Sequence, residues 1–179
     1  HINFYDDLFT GDATRLYSIC NTIMKRGWKF GWKCEARADV LPVELLPLMK
    51  KAGCDLISIG LESANPSSLK FLGKGITTRQ GRGAVEAVHR AGIRVLGYFI
   101  IGIPGETWDD SMRTIRWAQR LGCEYAQFSL LNPMPGTPLV RWAREKGYYR
   151  ELPPMNLLEH DSPRPIVSDP YWTPDRLDS

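Results

Sequence analysis

The sequence lacks any apolar stretch long enough to cross a membrane, since the longest, Val95–Ile101, has only the length of a strand. It has no initiator methionine and no basic or apolar leader typical of a signal peptide. Charge of one sign is also scarce, because 23 Lys and Arg against 20 Asp and Glu leave a net charge of +3. So small and scattered a surplus gives no signal for nucleic-acid binding. We therefore expect a cytoplasmic protein without a membrane span.

Familiar cofactor motifs are missing as well. No GxGxxG follows a predicted strand, and Gly73-Lys74-Gly75 lacks the spacing and the Ser or Thr of a phosphate-binding loop. Four cysteines in 179 residues is ordinary usage, which excludes a disulfide scaffold, and they form no CxxC pair that would indicate a zinc site. We expect Cys20 on a helix face, and Cys54 and Cys123 near the amino ends of strands. Cys34 is then the one cysteine that could approach a site.

What the sequence does contain is a recurring unit: an amphipathic helix with basic residues near its end, a glycine, and then an apolar strand. Glycine suits the left-handed residue just past a helix, and cations suit the negative end of the helix dipole. The unit recurs at Gly27, Gly53, Gly92 and Gly122, and a fifth helix ends at Gly147. This pattern predicts strands at about 2–6, 29–35, 55–61, 94–101 and 125–131.

Strands that alternate with helices indicate an α/β fold with a parallel sheet. The strands at 55–61 and 94–101 are almost continuously apolar, as in parallel strands buried on both faces. Because a closed eight-stranded barrel needs ~250 residues, these units predict a partial barrel or an open doubly wound sheet. Residues 1–150 form this domain in our interpretation, and residues 151–179 form a proline-rich C-terminal extension.

The two ends of the sequence suggest a piece of a longer polypeptide. His1-Ile2-Asn3-Phe4-Tyr5 has the composition of a strand already under way. At the other end, Thr173-Pro174 has the signature of a helix start, but only one turn follows.

Carboxylates follow four of the five predicted strands: Asp6-Asp7, Glu35, Glu62 and Glu106. The carboxyl ends of parallel strands meet at one edge of a sheet, where α/β proteins place their sites. We therefore expect Asp7, Glu62 and Glu106 to face a common cleft. The alternative is that each carboxylate merely caps a helix, since loops before helices are commonly acidic.

The ordered series of loop segments resembles radical S-adenosylmethionine (radical SAM) enzymes. The segments are Phe4-Tyr5-Asp6-Asp7-Leu8-Phe9-Thr10, Trp32-Lys33-Cys34-Glu35-Ala36-Arg37, Ala52-Gly53-Cys54, Ile59-Gly60-Leu61-Glu62-Ser63, Lys74-Gly75-Ile76-Thr77, Phe99-Ile100-Ile101-Gly102-Ile103-Pro104-Gly105-Glu106-Thr107 and Asn132-Pro133-Met134-Pro135-Gly136-Thr137-Pro138-Leu139. Together they cover about residues 2–147. The branch most similar is the one with an upstream cobalamin-binding domain, which includes methyltransferases and an anaerobic cyclase.

This resemblance implies a partial TIM-type barrel of six βα units, of which this chain would hold about five. In the family, a loop after the first strand carries CxxxCxxC and holds a [4Fe–4S] cluster. The sequence has no such loop, so the cluster cysteines are expected upstream of His1.

The resemblance also implies a cofactor-binding role for particular residues. Asp6 and Asp7 match the position that contacts the methionine ammonium, and Glu62 matches one that contacts the ribose or the methionine part. Arg37 could pair with the methionine carboxylate or with Glu62. The segments expected beside the adenine are Gly102, Ile103, Pro104, Gly105 and Glu106, together with Leu130, Leu131 and Asn132.

The function implied is reductive cleavage of S-adenosylmethionine to a 5′-deoxyadenosyl radical that activates a substrate C–H bond. The substrate is expected to be a small molecule, and cobalamin would add methyl transfer or cyclisation. Flavodoxin or ferredoxin would supply the electron that cleaves S-adenosylmethionine. Three alternatives stay open. They are a methylthiotransferase acting on RNA or protein, a non-catalytic barrel that binds a nucleotide or partner, and an unrelated barrel of sugar or phosphate metabolism.

We predict that the 179-residue chain alone binds no [4Fe–4S] cluster and cleaves no S-adenosylmethionine, whereas the full-length protein does both. A cluster needs several converging thiolates, and only Cys34 is expected near the site. Weak nucleoside binding is the most activity expected of the chain by itself. Anaerobic reconstitution followed by electron paramagnetic resonance and a 5′-deoxyadenosine assay tests this. A stoichiometric cluster signal with product would contradict it.

Overall fold

The computed structural model describes residues 1–6, 8–131, 135–149 and 169–172. These residues form five strands and six α-helices, with one or two helices between successive strands. The strands are β1 (Ile2–Asn3), β2 (Trp32–Arg37), β3 (Cys54–Glu62), β4 (Arg94–Ile101) and β5 (Tyr125–Leu130). The helices are α1 (Ala13–Lys25), α2 (Leu46–Lys51), α3 (Pro66–Phe71), α4 (Thr78–Arg90), α5 (Trp108–Leu121) and α6 (Pro138–Glu145).

The sheet has the predicted topology. Its order is β1-β2-β3-β4-β5, and every neighbouring pair is parallel. The strands curl into a half-barrel, which confirms the partial TIM-type barrel. β1 is shorter than expected, although the Phe4 N–H still donates to the Lys33 carbonyl beyond its end.

The main core lies between the convex face of the sheet and the helices. On β2 the buried residues alternate with half-exposed ones, so that Trp32, Cys34 and Ala36 face the helices. The indole N–H of Trp32 donates to the Ala52 carbonyl at 2.8 Å, which satisfies the polar atom of this fully buried ring. Further along, Phe99 of β4 meets Trp117 of α5 edge to face, with ring centroids 5.9 Å apart.

The opposite, concave face carries polar side chains. The alternation that buries Trp32, Cys34 and Ala36 puts the intervening residues of β2 on this face. The parallel register then sets Glu35 beside Ser58, and Arg37 beside Gly60. Tyr98 of β4 is the partner of Gly60 on the other side. A half-barrel whose inner face is polar at the carboxyl ends of its strands is suited to hold a polar ligand.

β5 differs from the other strands because all its residues are exposed or half-exposed. It pairs with β4, and within the described ranges it has no second partner strand. Of the predicted C-terminal extension, only residues 169–172 lie in the described part, so its status as a separate segment stays a prediction. None of the described helices is long and apolar enough to cross a membrane.

The capping boxes that start α4 and α5 predict a contrast in pH dependence. The Thr107 hydroxyl accepts from the Asp110 N–H at 3.3 Å and donates to the Asp110 carboxylate at 2.8 Å. Hydrogen bonds from the Thr107 backbone and hydroxyl lower the pKa of Asp110 below 3.8. Thr77 and Gln80 form the same box without an ionisable group.

We expect Thr107→Ala and Thr77→Ala each to lower the free energy of unfolding by about 1 kcal/mol at pH 7. Because Asp110 titrates lower in the folded state, its stabilisation is complete above its ordinary pKa and is lost as the pH falls through the folded one. The cost of Thr107→Ala should therefore shrink towards pH 3, while that of Thr77→Ala stays constant. Urea unfolding between pH 7 and pH 3 measures both, and parallel behaviour of the two variants would contradict this account.

Candidate functional site

Glu62, the last residue of β3, has an unusual backbone and a buried side chain. Its φ is +62°, the one positive φ among the described non-glycine residues, and the Ser63 N–H donates back to the Leu61 carbonyl at 2.9 Å. This is a γ-turn of the rare, positive-φ kind, which is costly for a side-chain-bearing residue. The register with β4 also shifts between Gly60 and Glu62. A β-bulge and a strained residue thus coincide at one carboxylate.

The carboxylate of Glu62 folds back over Gly60. A Cβ at position 60 would lie 2.7 Å from Glu62 Oε1, so any side chain there would collide with it. Lys74, in the loop between α3 and α4, pairs with the same oxygen at 2.8 Å. Only 9% of the Glu62 side chain is exposed, against 43% of that of Lys74. Removal of Lys74 would leave a buried carboxylate without its cation.

These groups surround a cavity of about 310 Å³ on the concave face at the carboxyl ends of β2 and β3. Its lining combines both signs of charge with hydroxyl groups and small residues: Glu35, Ala36, Arg37, Ala38, Ser58, Gly60, Glu62, Lys74, Ile76 and Tyr98. Such a lining offers hydrogen-bond acceptors and donors to a ligand that carries both charges.

Arg37 lies beside this cavity, but it does not pair with Glu62 as one of our alternatives expected. It makes a two-pronged contact with Asp39, from Nε at 3.0 Å and from Nη2 at 2.8 Å. This contact raises the pKa of Arg37 and lowers that of Asp39. The partner of Glu62 is Lys74, because the α3–α4 loop brings that cation over the end of β3. The expected contact with a methionine carboxylate stays a prediction.

Asp6 follows β1 at the same edge of the sheet, on the surface. Its carboxylate accepts from Arg15 of α1 at 2.8 Å and from the Leu8 N–H at 3.3 Å. The hydrogen bond from Arg15 is the main cause of its lowered pKa, so Asp6 is an anion at neutral pH. Asp7, the residue that we expected to face the cleft, lies outside the described residues.

Glu106 is near the end of β4, as expected, but its carboxylate faces the helical layer. Only 2% of the residue is exposed. The oxygen Oε1 accepts from Ser63 at 3.0 Å, from Asn65 at 3.1 Å and from Ser68. The other oxygen accepts from the Ile103 N–H at 3.4 Å and from Ser111 at 3.2 Å. The expectation that Glu106 faces the cleft with Glu62 is therefore wrong, because five internal donors already occupy it.

The loop between β4 and α5 has a compact, glycine-dependent shape. Gly102 and Gly105 have φ values of +71° and +86°, which side-chain-bearing residues rarely adopt. The Glu106 N–H closes a turn on the Ile103 carbonyl at 2.9 Å, and Ile103 is fully buried. Pro104 is half-buried and Leu131 is buried, while a Cβ at Gly102 would lie 3.4 Å from Leu130. Gly102 thus lies next to Leu130, while Asn132 lies outside the described residues, and the role of these segments beside an adenine stays a prediction.

The four cysteines belong to the core or its margin. Cys20 lies on the buried face of α1, and Cys54 is the first residue of β3. Burial raises the pKa of the Cys20 thiol to about 11, and contact with Cys34 and burial together raise that of Cys54. Cys34 is fully buried against the helices and does not reach the cavity. Among the described residues, no three His, Cys, Asp or Glu side chains are grouped to hold a metal.

Sequence reasoning missed several contributors to this edge. Lys74 occurred in one of the resembling segments, but nothing in the sequence indicated that it would reach Glu62. The partners of Glu106 follow β3 as Ser63, Asn65 and Ser68, and this run of small polar residues after an apolar strand was the available signal. Asp169 and Trp172 gave no signal, because they contact a loop more than 60 residues earlier.

Comparison with known protein families identifies the family of this chain. The profile of the Radical SAM superfamily matches residues 11–118, which include β2, β3, β4 and the cavity. The chain belongs to this superfamily. It is therefore part of a family of enzymes, and that family implies S-adenosylmethionine and a [4Fe–4S] cluster.

Curated relatives of this radical SAM chain include methyltransferases and cyclases. An uncharacterised methyltransferase of Pyrococcus horikoshii is 34% identical over 98% of the chain and 38% of its own length. The anaerobic magnesium-protoporphyrin IX monomethyl ester cyclase of Rubrivivax gelatinosus is 28% identical over 74% of the chain and 24% of its own length. The chain thus spans well under half of these relatives.

Solved structures give the same family and fold. The cobalamin-dependent S-adenosylmethionine radical enzyme OxsB with aqua-cobalamin bound has a TM-score of 0.59 at 29% identity, over 65% of this chain and 19% of that one. The radical S-adenosylmethionine methyltransferase TsrM from Kitasatospora setae has a TM-score of 0.70 at 20% identity, over 84% of this chain and 30% of that one. The likeness to TsrM supports the fold alone.

The network around Glu106 leads to a stability prediction. Glu106→Gln replaces one of two acceptor oxygens with an NH₂ group that would face existing donors, so we expect the free energy of unfolding to fall by about 1–3 kcal/mol. The matched control is Glu44→Gln on the exposed turn before α2, with an expected change within about 0.5 kcal/mol. Urea unfolding at pH 7 measures both. Equal stability of the two variants would mean that the buried network contributes nothing.

Proposed function

We propose that this chain forms the S-adenosylmethionine-binding half-barrel of a radical SAM enzyme that modifies a small molecule. One observation carries the proposal: the strained backbone at Glu62 holds a buried carboxylate over a polar cavity at the carboxyl ends of the strands. Strain of this kind persists where the surrounding structure enforces it, and it is concentrated at functional sites. S-adenosylmethionine held there by Glu62 would supply carbon-radical chemistry for hydrogen abstraction, once a one-electron reductant cleaves a C–S bond of its sulfonium.

The residues present fit this molecule chemically. S-adenosylmethionine offers a ribose diol and an ammonium, both donors, and the Glu62 carboxylate is an acceptor for either. Its carboxylate needs a cation, and Lys74 and Arg37 are the cations beside the cavity. The absent side chain at Gly60 is what makes room for the Glu62 carboxylate. Asp6, which follows β1 on the far side of β2 from Glu62, is a second acceptor for the ammonium.

The nucleoside end of the molecule is assigned to the β4–α5 loop. Gly105 is exposed and carries no side chain, so a flat ring can approach the backbone of the loop closely there. Leu130 and Leu131 add apolar surface next to it. In this assignment the role of Glu106 is to hold the loop from behind, without touching the ligand.

The described residues do not fit a [4Fe–4S] cluster. Their buried thiols face the helices, and no group of potential ligands converges on the cavity. We therefore derive no step of the reaction through the cluster from this chain. We propose that the whole protein binds the cluster through other residues and receives its electron from a donor such as flavodoxin or ferredoxin.

Cobalamin-dependent methyl transfer is the reaction type we favour, with cyclisation as the second candidate. The likeness to OxsB, whose structure carries aqua-cobalamin, supports the first. The second is supported by the likeness to the anaerobic cyclase. The polar lining of the cavity is compatible with either, since the half-barrel would serve the shared cofactor.

The test of this assignment is the affinity of the full-length protein for S-adenosylmethionine, measured by anaerobic calorimetry. Glu62→Gln keeps the shape but removes the charge, so we expect the Kd to rise about tenfold, the loss of about one charge-assisted hydrogen bond. The matched control is Glu86→Gln, on the exposed face of α4, which should leave the Kd unchanged.

Two results would contradict the assignment. One is equal affinity of the Glu62→Gln variant and the unaltered protein, with thermal melts showing that both are folded. The other is no detectable binding by the unaltered protein, which would favour a non-catalytic barrel that binds something else.

A further inference from the structure

A short segment near the C-terminal end of the chain contacts the β4–α5 loop. Asp169 Oδ2 accepts from the Gly105 N–H at 2.7 Å, and its Oδ1 accepts from the N–H groups of Tyr171 and Trp172, each at 2.8 Å. The Asp169 N–H in turn donates to the Trp172 carbonyl at 3.1 Å. One carboxylate therefore folds its own segment and also ties it to a loop 64 residues earlier.

Trp172 packs against the other glycine of the same loop. Its ring atoms Cδ2 and Cε2 would lie 3.7 and 3.8 Å from a Cβ at Gly102. The ring is 6% exposed, and its centroid lies 6.0 Å from that of Trp108 at the start of α5. The segment 169–172 thus touches the loop at both of its positive-φ glycines.

The loop needs such contacts to keep one shape. Glycine has the widest conformational freedom of any residue, and two glycines in left-handed conformations leave the loop costly to order. From the helical side, Glu106 and Ser111 hold it through the N–H groups of Ile103 and Gly102. From the other side, the partner of the Gly105 N–H is Asp169.

A second observation points to a ligand at this place. The indole N–H of Trp172 is buried and has no hydrogen-bond acceptor among the described residues. Buried donors are almost always paired in folded proteins, so this N–H, unpaired within the described part of the chain, is available to an acceptor on a ligand. A ring nitrogen or carbonyl oxygen of a heteroaromatic base would provide it.

We propose that Asp169 and Trp172 are positioning residues for the nucleoside end of the bound cofactor. Asp169 fixes the β4–α5 loop in its binding shape, and Trp172 backs the loop and offers a donor to the base. This inference rests on the proposed function, and it adds a third segment of the chain to the nucleoside site, beyond the strand ends.

The first experiment needs no ligand. In Asp169→Ala, hydrogen exchange of the loop amides of Gly102, Ile103, Gly105 and Glu106 should accelerate about tenfold, because the Gly105 N–H loses its acceptor. Asp169→Asn keeps the size but only one acceptor oxygen, so we expect a smaller acceleration. The matched control is Asp109→Asn, an exposed carboxylate on the first turn of α5, which should exchange as the unaltered protein does.

The second experiment uses S-adenosylhomocysteine as the probe, with the full-length protein and anaerobic calorimetry. We expect Asp169→Ala and Trp172→Phe to raise the Kd between threefold and tenfold. Trp172→Phe should do so with little change in loop exchange, because it removes the donor and keeps an aromatic ring against Gly102. Circular dichroism and thermal melts confirm that the variants are folded.

The outcomes separate this inference from the proposed function. Equal affinity of both variants and the unaltered protein would overturn the positioning role and leave the cofactor assignment standing. Unchanged exchange of the loop in Asp169→Ala would overturn the role of Asp169 in holding it. No binding of the probe by the unaltered protein would overturn both proposals.

Discussion

The buried carboxylate of Glu106 is the interaction on which this edge of the half-barrel depends. A bare carboxylate in the interior is costly, and here five hydrogen-bond donors from two loops and two helices compensate for the lost water. Since the donors come from residues 63–68 and from residues 103–111, the carboxylate fixes the segments after β3 and β4 relative to each other. Hydrogen bonds from the Ala64 N–H to Thr114 and from Asn65 to the Asp110 carbonyl reinforce the same connection.

That cross-link explains how a strained residue can persist next to it. Ser63, which donates to Glu106, directly follows Glu62, so the chain is anchored one residue beyond the left-handed turn. The anchor faces the helices, and the turn therefore directs the Glu62 side chain to the concave face. The two glutamates at neighbouring strand ends thus differ in role. Internal donors saturate Glu106, whereas Glu62 pairs with Lys74 beside the cavity.

The order and direction of the strands followed from the sequence, since a glycine after each helix and an apolar run after each glycine are local signals. The orientation of Glu106 did not follow, because it depends on Asn65 and Ser68, which lie about forty residues earlier. Likewise, no local pattern distinguishes Lys74 from Arg37 as the partner of Glu62. Resemblance to a family identified the edge where the ligand is expected, but the pairing of charges there is a property of the folded loops.

The buried thiols of the core have a consequence for experiments that supply iron and sulfide to this chain. Burial raises the pKa of Cys20 to about 11, and the pKa of Cys54 is raised as well. A thiolate, and not a thiol, binds iron and reacts with alkylating agents. These two side chains therefore do not compete for iron when iron and sulfide are supplied. Native alkylation with iodoacetamide should therefore spare these two buried thiols and leave the half-buried Cys123 as the described cysteine open to reaction.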